Sequence, residues 1–257
     1  MANSQIIVAF LTIVRREIRR FMRIWPQTLL PPAITMSLYF AIFGNLIGPR
    51  IGDMGGFSYM DYIVPGLIMM SVITNSYANV SASFFSAKFQ HNVQELLVSP
   101  TPNWIILFGY VIGGVVRGLL VGVIVTLLSL FFTDMNLENL PITIIVVFLT
   151  AILFSLGGFI NAVYAKSFDD ISIIPTFVLT PLTYLGGVFY SIDLLSSFWQ
   201  SVSLFNPVLY MVNAFRYGIL GVSDIDVGFA LAIISAFIVG FFLYGLRLLN
   251  KGHGIRD

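Results

Sequence analysis

The sequence predicts an all-α membrane protein. It has six transmembrane helices, an N-terminal amphipathic helix on the membrane surface, a short helix in a cytoplasmic loop, and outer re-entrant helices between the fifth and sixth spans. Three observations carry that prediction. Of the 257 residues 58% are hydrophobic and 10% charged, with a mean hydropathy of +0.93, where a soluble domain carries about 25% charged residues. Six runs of the length needed to cross a bilayer, ~20 mostly apolar residues, follow one another along the chain. Ahead of the first run, Arg15, Arg16, Arg19, Arg20 and Arg23 fall at helical spacing opposite Ile7, Leu11, Val14, Ile18, Phe21 and Trp25.

The arginine-bearing segment, residues 1–25, reads as a helix lying along the bilayer, its basic face toward phosphates and its apolar face toward the acyl boundary. Arginines interrupt the apolar stretch after Val14, which disfavours a cleaved signal peptide. The spans are expected at about 27–48, 59–85, 103–132, 141–164, 172–191 and 227–248. Gly48-Pro49 and Gly55-Gly56 make an outer turn of 49–58, and 133–140, with two acids and no base, makes another. A cytoplasmic loop at 86–102 holds a short helix, Ala87 to Val98, stopped by Ser99-Pro100, and Lys166 to Ile171 is a tighter loop. Residues 193–226 are broken by Asn206-Pro207, Asn213, Arg216 and Gly221 and read as re-entrant or interfacial helices, with Trp199, Tyr210 and Tyr217 at the interface. No internal repeat or linker appears, so residues 1–257 form one membrane domain.

Charge supports the count. Six spans place the five N-terminal arginines, Lys88, Lys166, Arg247, Lys251 and Arg256 on the cytoplasmic side and only Arg50 and Arg216 outside. A seventh span would spoil that bias.

Polar residues within spans single out candidate sites. Arg117, near the middle of the third span, lies beside a small-residue stripe of Gly114, Gly118 and Gly122 that permits a neighbouring helix to approach closely. The arginine either holds two helices in register through backbone carbonyls or contacts an anionic substrate. Ser71, Asn75, Asn79 and Ser83 recur at four-residue steps on one face of the second span and either bind helices together or line a wet path. Pro26, Pro31, Pro32, Pro65, Pro175 and Pro181 suggest kinked helices, of a bundle that moves or of one merely irregular.

Several chemistries are disfavoured. A net charge of +1 argues against a nucleic-acid partner. No cysteine is present, and His91 and His253 stand far apart in hydrophilic segments, so no metal site is expected. No phosphate-cradling G-x-x-x-x-G-K-[ST] run exists, since Ile160 and Ala165 occupy its glycine positions ahead of Lys166-Ser167. No carboxylate lies mid-span, where ion-coupled carriers usually relay protons, and Asp61, Asp226, Asp169 and Asp170 sit at span ends or in loops. An ion-coupled carrier and a membrane enzyme acting on lipids stand as rival readings of the residues alone.

Three stretches then carry a resemblance: Gln94-Glu95-Leu96-Leu97-Val98-Ser99-Pro100, the run PTFVLTPLTYLGGVFY from Pro175 to Tyr190, and Asn206-Pro207-Val208-Leu209-Tyr210. Together they resemble the membrane subunit of an ABC type-2 transporter over essentially the full chain. The resemblance implies a permease in the bacterial inner (plasma) membrane with both termini cytoplasmic, paired as a dimer over two ATPase subunits. It makes residues 1–25 the connecting helix and the loop helix carrying Gln94, Glu95 and Leu96 the coupling helix, with Asp169 and Asp170 as further contacts to the ATPase. It implies export of a lipid, glycolipid, polysaccharide or hydrophobic drug, with no cofactor or catalytic residue on this chain and ATP and Mg on the partner.

Overall fold

The structure is a computed structural model and describes residues 3–133, 137–252 and 254. His253, Arg256 and the middle of the 133–140 loop lie outside the described residues. Among the described residues the regular structure is helical apart from one small hairpin. Helix α1 (Asn3–Arg23) precedes three linked segments, α2 (Trp25–Thr28), α3 (Leu30–Ala41) and α4 (Gly48–Ile51), with a π-helical stretch at Ile42–Ile47 between the last two. Pro26, Pro31, Pro32 and Pro49 all occupy first-turn positions of these segments, where the missing N–H costs nothing. These prolines start helices rather than kink them. A two-residue hairpin follows, β1 (Asp53–Met54) against β2 (Phe57–Ser58). Its turn residues Gly55 and Gly56 both have positive φ, 60° and 84°, the geometry a tight hairpin demands.

Helix α5 (Tyr59–Phe89) begins at Ser58, whose hydroxyl accepts the Asp61 N–H. It runs four residues further than expected, so Ala87 to Phe89 belong to it. The chain breaks at His91, φ 61°, and the loop helix α6 (Asn92–Val98) starts only there. Then come α7 (Asn103–Ser129) and α8 (Leu140–Tyr164). After a short link, α9 (Phe168–Ile174), a π-helical stretch Pro175–Leu179 and α10 (Thr180–Tyr184) form one broken helix. A 3₁₀ turn at Ile192–Leu194 leads to α11 (Ser197–Leu204), α12 (Pro207–Leu220) and α13 (Val227–Lys251).

Among the described residues, five helical stretches are long and apolar enough to cross a membrane: Trp25–Ile51, Tyr59–Phe89, Asn103–Ser129, Leu140–Tyr164 and Val227–Lys251. The stretch expected as the fifth of six spans, 172–191, differs from its expectation. Its segments of 7, 5 and 5 residues reach about 25 Å. The helix stops at Tyr184, and Gly187, φ 71°, turns the chain back. Gly186 there presses on Val208 of α12, where a Cβ would stand 2.7 Å from a Val208 methyl.

Helix α5 is the centre of the bundle, flanked by α7 and α8, with α12 across its first half. Its apolar window is 83% buried, against 11% for the first and last long stretches. Residues 193–226 fold as the helical pair α11 and α12, and α12 is no surface element: Arg216 is 1% exposed and Tyr210 6%. Trp199 is exposed.

Candidate functional site

The four-residue repeat on α5 becomes a buried polar column. Ser71, Asn75, Asn79 and Ser83 are all buried, and three of them meet side chains from α1 and α7. Arg117 donates to the Asn75 side-chain oxygen (3.1 Å) and the Thr28 carbonyl (3.4 Å). Arg20 donates to both the backbone and side-chain oxygens of Asn79, at 3.1 and 2.9 Å. Ser83 donates to the Glu17 carboxylate. Ser71 stays within its own helix, donating to the Leu67 carbonyl. In the single chain, then, this face is occupied by neighbouring side chains.

Glycines on α7 allow the approach. A Cβ on Gly118 would stand 1.8 Å from the Ser76 hydroxyl, on Gly114 2.5 Å from a Val80 methyl, and on Gly122 2.8 Å from a Val72 methyl, so the expected stripe does face α5. A second pair one position round the helix, Gly109 and Gly113, faces α1: their Cβ atoms would lie 2.5 Å from Ile13 and 2.6 Å from Glu17. Helix α7 thus offers two bare strips, one to each neighbour.

Glu17 was not foreseen. It is 1% exposed and holds Arg16 at 3.2 Å and Arg20 at 3.4 Å. Arg16 also donates to the Tyr110 hydroxyl (2.6 Å) and lies over that ring. Burial pulls the Arg16 pKa down, but Tyr110 and Glu17 outweigh it and leave the guanidinium above its ordinary value. The arginine row therefore divides. Arg16 and Arg20, still partly exposed, bond to the bundle, while Arg15, Arg19 and Arg23 point to the exposed side. The apolar face divides too: Phe21 is fully buried, Val14 and Ile18 half-buried, and Ile7, Leu11 and Trp25 exposed. One α1 face packs on protein, a second presents hydrocarbon, and a third presents charge.

At the Lys88 end, α6 is held by buried Val93 and leaves Gln94 and Glu95 exposed and Leu96 half-buried. Phe168 of α9 meets Phe85 and Phe89 of α5 edge to face, at 4.9 and 5.2 Å between ring centroids. Lys88 donates to the carbonyls of Val163 and Ala165, so the two loops are fastened at one end of the bundle. Asp169 and Asp170 separate in role. Asp170 accepts the Lys166 and Ser167 amides, and Ser167 accepts the Asp170 amide in return, a capping box that starts α9. Those amide donors hold the Asp170 carboxyl below the ordinary carboxylate range. Asp169 remains exposed.

A second residue with an unforeseen role is Arg216, expected only as a charge on the outer side. It is buried, donating to the carbonyls of Gly187 (2.6 Å) and Tyr62 (3.3 Å) and lying 4.0 Å above the Tyr62 ring. It fastens the turn after α10 to α5 and α12. Its sequence signal was an arginine inside the apolar run PVLYMVNAFRYGIL.

Residues 8–220 match the family described as ABC-2 type transporter. The chain is 59% identical over 250 residues to the inner membrane transport permease YadH of Escherichia coli K12, covering 97% of this chain and 98% of that protein. It is 22% identical over 238 residues to nodulation protein J of Neorhizobium galegae, covering 92% and 91%. Nodulation protein J of Rhizobium leguminosarum bv. viciae is 22% identical over 215 residues, 83% of each chain.

Proposed function

The chain belongs to the ABC-2 type transporter family, and from that membership we propose that it is the membrane subunit of an exporter driven by a separate ATPase. In this reading it crosses the bacterial inner membrane six times with both termini cytoplasmic, the broken helix α9–α10 serving as the fifth crossing. It pairs with a second copy above two ATPase subunits. The end-to-end kinship with an inner membrane transport permease carries the proposal. The lack of any phosphate-cradling run agrees with ATP and Mg being bound by the partner. The thinly covered first and last long helices suit contact with a second copy.

The coupling surface is the exposed edge of α6, Gln94 and Glu95 with Leu96 beside them, joined by exposed Asp169. Closure of the ATPases on ATP displaces α6, the His91 break passes that displacement to α5, and α5 moves α7 and α8 through their glycine contacts. Arg15, Arg19 and Arg23 rest against anionic lipid headgroups at the shoulder of the bundle. The cargo is a lipid, glycolipid, polysaccharide or hydrophobic drug. The test is purification from native membranes in mild detergent. An ATPase should accompany the wild-type chain, the chain alone should hydrolyse no ATP, and Glu95→Lys should uncouple hydrolysis from export while leaving the membrane fold intact. Hydrolysis by the isolated chain overturns the assignment, and an unaffected Glu95→Lys complex removes the α6 role.

A further inference from the structure

Away from the polar column, α5, α8, α13 and the broken helix α9–α10 surround a cavity of about 480 Å³. Its two ends differ in chemistry. Toward Lys166 it is lined by Asn161, Tyr164 and Tyr244; the far end is hydrocarbon, Leu153, Phe154, Leu182, Pro207 and Phe237. The Tyr164 and Tyr244 hydroxyls bond each other, and the Asn161 amide donates to the Ser81 hydroxyl and the Ile171 carbonyl. Between the ends stands Tyr77, 4% exposed. Its hydroxyl is sealed in the wall beside Asn161, so the cavity itself is lined by carbon.

The dimensions select the ligand. From Leu153 to Tyr164 the α8 wall is roughly 16 Å long, about half of the ~30 Å hydrocarbon core and so the depth of one leaflet. The volume falls within the range of ligand pockets lined by carbon with a few polar groups. The mouth is bounded by exposed Tyr164, Ile174, Val178 and Tyr244, so it opens on the surface that faces lipid. One wall is the π-helical stretch Pro175–Leu179, a wide turn of the kind found often at functional sites.

We propose that this cavity binds one acyl chain of a bilayer phospholipid from the leaflet on the Lys88 and Lys166 side. The tail points toward Pro207, and the ester oxygens lie at the mouth, beside the Tyr164 and Tyr244 hydroxyls. The site rests on the reading of α9–α10 as a crossing helix and stands whether or not an ATPase partner is found.

Photo-labelling of the full chain in nanodiscs tests it, with phosphatidylglycerol bearing a diazirine on one acyl chain and, in parallel, a diazirine-bearing alkane without an ester. Mass spectrometry should place the phospholipid label on 153–164, 174–182 and 237–244 well above the exposed face of α3. Gly157 lines the cavity, and a Cβ there meets nothing nearer than 3.6 Å. Gly157→Ala should therefore keep the label and Gly157→Leu should reduce it to background. Tyr244→Phe, which removes a hydroxyl at the mouth, should lower phospholipid labelling about five-fold, the worth of one hydrogen bond, and leave the alkane unchanged. Label spread evenly over all lipid-facing helices overturns the site, as does full labelling in Gly157→Leu. Equal loss of both probes in Tyr244→Phe overturns the role of the hydroxyl.

Discussion

Gly114→Ala should destabilise the chain, and Gly157→Ala, on the next helix and likewise one methyl in size, should stabilise it. A Cβ on Gly114 would lie 2.4 Å from the Ser155 hydroxyl, 2.5 Å from a Val80 methyl and 2.9 Å from the Ser76 carbonyl oxygen. The hydroxyl can rotate aside, but the methyl and the carbonyl retreat only if α5 moves. Overpacking of this kind costs about 1–3 kcal/mol, and alanine returns about 1 kcal/mol by removing a helix-interior glycine. Three simultaneous contacts put the cost in the upper half of its range, for a net loss of about 1–2 kcal/mol. At Gly157 the nearest atom is 3.6 Å away, an ordinary contact, so the gain of about 1 kcal/mol stands alone. Thermal unfolding in one fixed detergent reads the difference. At about 3 °C per kcal/mol for a chain of this size, the two midpoints should lie on opposite sides of wild type, about 6 °C or more apart. A Gly114→Ala protein as stable as Gly157→Ala would refute the account of α7 as a helix stripped for close packing.

Three further outcomes are expected. Glu17→Gln removes the carboxylate shared by Arg16, Arg20 and Ser83, and because both arginines are partly solvated the loss should be about 1–3 kcal/mol, below that of a fully buried pair; faster amide exchange across 13–21 measures it, and unchanged protection would show that α1 docks by its apolar residues alone. Arg117→Leu leaves the Asn75 side-chain oxygen and the Thr28 carbonyl without their donor; export should fall more than the amount of inserted protein, and unchanged export at equal stability would leave Arg117 a helix clamp at most. Ser167→Ala should loosen the first turn of α9 by about 1 kcal/mol, read as amide exchange at 168–171. In the wild-type chain the Asp170 pKa is lowered on folding, so its contribution is complete above the ordinary carboxylate pKa and lost as pH falls through the folded value. Exchange in that turn, corrected for intrinsic rates, should be flat from about pH 5 to 8 and rise only below about pH 4.

The long helices were legible because membrane crossing is written in runs of carbon, and the glycine stripe because small residues at four-residue steps have one use in a bilayer. The four-residue polar repeat on α5 was legible as a face, but which helix it met was not. That depends on α1 being drawn under the bundle by Gly109 and Gly113, a contact spanning about a hundred residues of sequence. Glu17 was hidden among five arginines, where one acid looks like charge dilution rather than a buried hub. Arg216 was assigned to the outer side by counting charges, and a count is blind to a carbonyl pocket assembled from Tyr62 and Gly187. The end of the broken helix at Tyr184 was hidden because the run to Tyr190 stays apolar. What halts it is the backbone turn at Gly187 and the pressure of Gly186 on Val208.

Among the five long helices, the most buried one, α5, also has the least apolar window. Asn75 and Asn79 make it a poor candidate for release into lipid by itself, and two of its main neighbours, α7 and α8, follow it in the chain. During synthesis α5 therefore reaches the bilayer after α1, which receives Asn79 and Ser83, but before α7, which receives Asn75. Its final position is set afterwards, when one bare strip of α7 closes over it, in the manner of membrane helices that insert first and associate second. The early polar helix is thus a built-in dependence on the later half of the chain, and a polypeptide truncated before α7 lacks the partner of Asn75 and the two helices that bury α5.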